Sequence, residues 1–317
     1  MKPLRMILLT LVALPAAAQD CADGQRPFDH AAGTSCIPED PQRIVATRGD
    51  SLVTPLLDIG APVIGAGIRV MEDGTAYVRG ASDIFGAAFV DAAGLASVGD
   101  PNQVDIEAVA TLDPDLIFIR AREIDRLDQF EAIAPTVAVP ADLPFLDHLA
   151  FIADAAGRAG TYDDRLAVYR SRVESLRTAL GDPSTITISQ LDIWEDGLWF
   201  YPDWGAVSQV IDDVGFTRPA ILEDLPPDGF NGMSVERLQE FDGDIVISSL
   251  APHFDQDVSM LTGLYDSVAP FWRQLPAIAA GDHYWYPRDI WVGYSFASLD
   301  RALDGLALLT VGREFDR

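Results

Sequence analysis

Four arginines stand out by their setting: Arg48, Arg69, Arg120 and Arg122 each follow closely on a short apolar run. A guanidinium fork donates two parallel hydrogen bonds to a pair of anionic oxygens, so arginines gathered at one rim suit an anionic ligand. The chain has 22 Lys and Arg against 49 Asp and Glu, a formal net charge of −27, so cations collected in one place would run against its overall balance. The bland alternative is scattered surface pairs with nearby acids. Aromatic residues form a second group. Trp194, Trp199, Phe200, Tyr201 and Trp204 crowd one stretch, and Trp291 and Tyr294 another. Such rings pack on flat ligands and a tyrosine hydroxyl can donate to them, or they are ordinary core. His253 follows a predicted strand and is placed to reach a cleft. The four histidines, His30, His148, His253 and His283, show no metal-ligand spacing, which argues against direct zinc or manganese capture and for no metal site.

Two enzymatic signatures are near misses. Gly293-Tyr294-Ser295-Phe296-Ala297 has the outline of a nucleophile elbow, but that fold needs its histidine later in the chain and none follows Ser295. Gly65-Ala66-Gly67-Ile68-Arg69-Val70 begins like a dinucleotide fingerprint and lacks the third glycine. No catalytic residue is assigned, and the expectation is a protein that is not an enzyme.

The elements that must position these groups follow from periodicity. Residues 43–46 read as a strand, 50–59 as a helix closed by Gly60, and 62–65 as a strand, a β-α-β unit typical of a parallel sheet. The 71–97 stretch is less regular and reads as a surface excursion. Beyond it come helix 104–111, strand 115–119, helix 125–133, strand 136–139 and helix 145–157. The second half reads as strand 185–191, helix 206–214, helix 234–240, strand 244–248, helix 266–275, strand 283–286 and helix 298–310. On this map the arginines fall at the carboxyl ends of strands, where ligands of open α/β sheets bind.

Between the halves, Leu166, Tyr169, Val173, Leu176 and Leu180 recur every three or four residues on one helical face. Thr161, Asp163 and Asp164 suit the start of this helix, and Gly181-Asp182-Pro183 stops it. About 19 residues at ~1.5 Å each make a spine nearly 30 Å long. What lies on either side is alike. Residues 104–117, with Glu107 and Asp113-Pro114-Asp115, align without a gap on residues 233–246, with Glu236 and Asp242-Gly243-Asp244. Two copies of one α/β half imply a cleft between them. The expected division is a signal segment at 1–18, a lobe at 19–160, the spine at 161–181 and a second lobe at 182–317. A helical spine also predicts little lobe motion, since bending it breaks backbone hydrogen bonds.

Lys2 and Arg5, an apolar run and then Ala16-Ala17-Ala18 make a signal peptide with an A-x-A site. Its removal leaves a net charge of about −29, which disfavours nucleic acid and anionic lipid as partners. With 49% hydrophobic and 22% charged residues the remainder is globular, and no later apolar run is long enough to insert in a membrane. Cys21 and Cys36 are the only cysteines, and in an exported chain they read as one disulfide. A lipid anchor on Cys21 is the rival reading, against which Ala18-Gln19-Asp20 is a poor lipobox.

Pro41-Gln42-Arg43-Ile44-Val45, Glu107 with Leu112-Asp113-Pro114-Asp115-Leu116-Ile117, Ile133-Ala134-Pro135, Phe271-Trp272-Arg273-Gln274-Leu275-Pro276-Ala277-Ile278 and the Trp291 segment together resemble bacterial ABC-importer binding proteins for iron complexes and cobalamin. The resemblance spans about 41–309. It implies an α/β protein of two Rossmann-like lobes with parallel sheets, bridged by one long helix. It also implies a monomeric periplasmic receptor that passes its ligand to an ABC permease dimer and holds no permanent cofactor. The likeness is nearest to the ferric-siderophore branch, in which the protein grips the outside of an iron chelate. An anionic catecholate or carboxylate complex would fit the four arginines. In hydroxamate binders of this branch an arginine precedes Pro-Asn; here Asp100 precedes Pro101-Asn102. Ligand contacts of the family often come from the loop holding Trp291 and Tyr294, and the glutamates matching Glu107 and Glu236 meet permease arginines. Haem or cobalamin binding on the same fold, and a sensor or scaffold without transport, are the alternatives.

Overall fold

The computed structural model describes residues 21–200, 203–224 and 230–315. The signal segment expected at 1–18, and Tyr201, lie outside the described residues. Strands Ile44–Ala46, Leu116–Arg120 and Thr136–Val139 are apolar and buried almost throughout, as strands covered on both faces must be. They lie in a five-stranded sheet ordered Thr136–Val139, Leu116–Arg120, Ile44–Ala46, Val63–Ala66, Ala96–Ser97, with every neighbouring pair parallel. The last strand corrects the reading of 71–97 as a surface excursion. That stretch carries the edge strand and two short helices, Ala81–Phe85 and Ala87–Ala92. Each piece is too short to show a period.

The second lobe holds a smaller parallel sheet, Ile188–Gln190, Ile245–Leu250 and His283–Pro287, with Ile245–Leu250 in the middle. Beside it, Asp192–Trp194, Gly197–Phe200 and Phe230–Met233 form an antiparallel ribbon in stretches to which the sequence reading assigned no element. The helix expected at 266–275 is replaced by helix Val258–Val268, a tight turn at Trp272–Gln274 and a short helix Pro276–Ala279. Pro270 explains the break, since the residue before proline is pushed out of the helical region; Ala269 has φ −130° and ψ 69°.

The duplicated segment has a shared structural purpose. Asp115 accepts hydrogen bonds from the backbone N–H groups of Gln42 (2.7 Å) and Arg43 (2.9 Å), at the start of the adjacent strand. Asp244 does the same for Thr187 at 2.8 Å. In both lobes this aspartate satisfies a neighbouring backbone end that the parallel ladder leaves open.

One helix, Ala159–Leu180, joins the two α/β lobes. It starts slightly before the predicted position, and Arg158, not a side-chain cap, precedes it. Tyr169, Val173 and Leu176 are its buried positions, and Gly181, at φ 77°, closes it. Its polar side is tied down as well. Tyr169 Oη donates to Asp213 at 2.7 Å, Arg172 pairs with Asp300 and Asp304, and Arg165 reaches Asp58 of the first lobe at 3.3 Å. Asp58 also accepts from the backbone N–H of Ala297, at the start of helix Phe296–Thr310. The spine is thus bonded to both lobes.

At the amino terminus, Gln25–His30 and Gly33–Pro38 form a hairpin that the Cys21–Cys36 disulfide closes, as expected. The Ala31 N–H donates to Ala138 O at 2.9 Å, docking the hairpin on the sheet edge. Among the described residues no helix is long and apolar enough to cross a membrane.

Candidate functional site

Because Ile44–Ala46 and Leu116–Arg120 are paired in parallel, Phe118 opposite Ala46, the residues that follow them emerge side by side. Arg48, Arg120 and Arg122 accordingly line one cavity of about 300 Å³. Tyr294, from the second lobe, and His148 complete its wall. Burial first, then Asp203 and Asp50, push the Tyr294 phenol up, so it stays protonated and available as a donor. Phe145 stacks on Tyr294 at 5.1 Å and His148 lies 4.7 Å from it, which fixes the ring's direction. Burial lowers the His148 pKa, against the opposing hydrogen bond that its Nε2 donates to Ser51 O at 2.8 Å.

The arginines are not equally free. The fork of Arg48 is held by Asp50, at 2.7 Å from Nε and 3.2 Å from Nη2. Arg120 is held by Glu123 at 2.8 Å and by Pro101 O at 3.1 Å. Arg122 is exposed, and among the described residues no ion pair engages it. Arg69 lies just outside the cavity, with its guanidinium 5.9 Å from the ring centre of Phe254, and lines a narrow gap with Arg48, Tyr77 and Arg79.

That gap exposes residues which the sequence reading passed over. Arg79 pairs with Asp50 at 3.1 Å and with Asp289 of the other lobe at 2.7 Å. Gly49 makes this possible, because a Cβ there would lie 2.7 Å from Arg79 O and 2.9 Å from Arg79 N. Asp289, at 5% side-chain exposure, also meets Arg288 at 3.5 Å and His253 Nδ1 at 2.8 Å. His253 Nδ1 and the Asp289 carboxylate are in direct polar contact. Burial alone would push the Asp289 carboxyl up; His253, Arg79 and Arg288 outweigh it and hold the group well below the usual carboxylate range. The His253 side chain is itself buried, stacked on Tyr77 at 5.2 Å. Asp289 stands directly after strand His283–Pro287, so the strand-end rule that singled out the arginines also pointed to it.

The aromatic group divides. Trp194 and Trp199, 6.0 Å apart, line a separate cavity of about 800 Å³ with Phe254, Met260, Leu264 and Arg288. Phe200 is core, stacked on Phe241 at 3.7 Å. Trp204 is half-buried, and its backbone N–H donates to Ser208 Oγ at the head of helix Gly205–Val214. Trp291 does not join Tyr294. It is buried against Tyr286 and packed so closely over Gly305 that a Cβ there would lie 2.0 Å from the indole. Its place in the sequence did not reveal this, because Ile290-Trp291-Val292 is one turn that faces inward at the indole.

Glu107 and Glu236 are both exposed and both in the first turn of their helices, where Asp105 and Ser234 accept from their backbone N–H groups at 2.9 and 3.3 Å. Among the described residues no group of three His, Cys, Asp or Glu side chains is arranged to hold a metal ion.

A profile of the family described as periplasmic binding protein matches residues 78–289. The iron(3+)-hydroxamate-binding protein FhuD of Bacillus subtilis is 28% identical over 263 residues, spanning 80% of this chain and 76% of its own. The ferric enterobactin-binding periplasmic protein FepB of Escherichia coli is 30% identical over 229 residues, spanning 67% of this chain and 68% of its own. Among solved structures, Staphylococcus aureus SirA complexed with staphyloferrin B superposes with a TM-score of 0.74 at 20% identity, covering 89% of this chain and 97% of that one. That last likeness speaks to the fold.

Proposed function

The chain belongs to the periplasmic binding protein family, and on that footing we propose that it captures a ferric siderophore in the cleft between its lobes and delivers it to an ABC importer. The observation that carries this reading is the convergence of Arg48, Arg120 and Arg122 with the Tyr294 phenol on one cavity, in a chain of net charge −27. Guanidinium groups only donate, and the protonated Tyr294 phenol can donate beside them, so anionic oxygens complement the cavity. A catecholate or carboxylate chelate of ferric iron presents them, and its iron needs no ligand from the protein. Relatives named for a ferric hydroxamate and for ferric enterobactin support iron chelates as the class. The carboxylate of Asp100, turned back onto the Asn102 N–H at 2.9 Å, stands where hydroxamate binders carry an arginine and favours the other chelates. Arg69 at the rim adds a further cation. Glu107 and Glu236, exposed at matching positions on the two lobes, are the proposed contacts for a permease dimer. The signal segment at 1–18 would place the mature protein, as a monomer, in the periplasm.

Tryptophan fluorescence of the mature protein tests the reading, titrated in parallel with ferric catecholate, ferric citrate, ferric hydroxamate, haem and cobalamin. Saturable sub-micromolar quenching by an anionic ferric chelate is expected. Tight binding of haem or cobalamin alone, or of nothing, would overturn the proposed ligand.

A further inference from the structure

The arginine cavity, at about 300 Å³, is at the lower limit of ordinary ligand sites, whereas the neighbouring cavity measures about 800 Å³ and has a different chemistry. Its walls are Trp194, Trp199, Phe254, Met260 and Leu264, with Arg288 the one cation among the lining residues. Phe254 is 47% and Met260 54% exposed, a large apolar surface left in contact with water. Glu195 and Asp196 stand exposed at the rim, and Asp196 accepts from Trp199 Nε1 at 2.6 Å. Two carboxylates against one guanidinium disfavour an anion here, unlike the arginine cavity, where three guanidiniums stand with Asp50.

A chain of ion pairs links the walls of the two cavities and divides them. Asp50, on the wall of the first, pairs with Arg79; Arg79 pairs with Asp289; and Asp289 adjoins Arg288, on the wall of the second. Phe254 sits over this divider, 5.9 Å from the Arg69 guanidinium on the first lobe and 5.2 Å from that of Arg288 on the second. Resting on the reading under Proposed function, we infer that the aromatic cavity is a second compartment of the same cleft and takes an apolar arm, alkyl or aryl, of the chelate. The ligand is then amphiphilic: anionic oxygens on the arginine side, and a hydrocarbon arm passing Phe254 onto Trp194, Trp199, Met260 and Leu264. Covering that apolar surface adds affinity in proportion to the area removed from water.

The test compares a synthetic ferric tris-catecholate with the same complex carrying one octanoyl chain. Fluorescence titration gives the ratio of the two affinities. A gain of ten-fold or more for the acylated complex is expected, falling below two-fold in Leu264→Asp. Met260→Glu, at a residue already in water, gives the same reading should Leu264→Asp fail to fold. Replacing Trp199 by Phe is expected to remove most of the quenching specific to the acylated form. Equal affinities in the unsubstituted protein would overturn the second compartment and leave the siderophore reading intact. Failure of both complexes to bind would overturn the two together.

Discussion

Arg79 donates from Nε to Asp289 Oδ1 at 2.7 Å, and the two residues stand 210 positions apart on opposite lobes. With Asp50 and Arg48 behind it, this pair forms a line of alternating charge from the arginine-lined cavity to the buried Asp289 of the second lobe. Asp289→Asn leaves the Arg79 guanidinium without its main partner. Truncating a buried ion pair costs about 3–5 kcal/mol; Arg79 keeps 28% side-chain exposure, which reduces the expected loss to about 2–3 kcal/mol. Urea unfolding measures it, and a loss under about 0.5 kcal/mol would refute a structural role for the pair. The pH dependence has a definite sign. The Asp289 carboxyl is held below its usual range, so its contribution is full above about pH 4 and lost as pH falls toward its folded value. The variant is expected to show a shallower acid-side decline.

Arg122 and Arg48 line the same cavity, but only Arg122 is unengaged by an acid among the described residues. Arg122→Ala is expected to weaken an anionic ferric chelate about ten-fold, or ~1.4 kcal/mol, while leaving the unfolding midpoint in place. Its effect should shrink with added salt, because the side chain is exposed. Unchanged chelate affinity at low salt would remove Arg122 from the site.

Gly49→Ala tests the approach of the Arg79 backbone. The added Cβ meets backbone N and O at 2.9 and 2.7 Å, neither of which is the movable end of a side chain. A destabilisation of about 1–3 kcal/mol is expected, together with a weaker coupling between substitutions at Arg79 and Asp289. A double-mutant cycle in the Gly49→Ala background reads that coupling; a full-sized value would mean Arg79 tolerates the shift.

His283 gives a second pH signature. Burial, and then Arg273, lower its pKa from 6.5 to about 4, and its Nε2 lies 2.9 Å from Ser248 Oγ. Between those values the unfolded chain takes up a proton that the folded chain refuses, so stability falls as pH drops from 6.5 to about 4 and then levels off. The contribution is about 3 kcal/mol. His30 and His148, also lowered by burial, act in the same sense, so the difference between the natural protein and His283→Gln isolates this ring. An identical slope in the two would sink the assignment.

The parallel strands and the spine were legible because their signals are dense: Thr136–Val139 and the helix through Tyr169, Val173 and Leu176 each bury one continuous pattern. The strand-end position of Arg48, Arg120 and Arg122 followed from those strands. Arg79 was hidden for the opposite reason, since its stretch is built from helices and strands of two to six residues. The ribbon Asp192–Trp194 with Gly197–Phe200 was missed because Gly197, at φ 127°, turns the chain within a run of aromatics that has no alternation of its own. Which ring is core and which lines a cavity depends on contacts far along the chain. Trp291 packs on Gly305 of the final helix, whereas Trp194 faces Met260 and Leu264 across a cavity.

The spine helix, fastened to Asp213, Asp300 and Asp304 on one lobe and to Asp58 on the other, bears on how a full receptor announces itself. On the proposed function, a bracket this firmly riveted would offer a transporter little change of outline between empty and loaded. On that proposal, the message of occupancy would be written at the rim, in the cargo's own exposed face and in the side chains it touches, within the span between the proposed contacts Glu107 and Glu236.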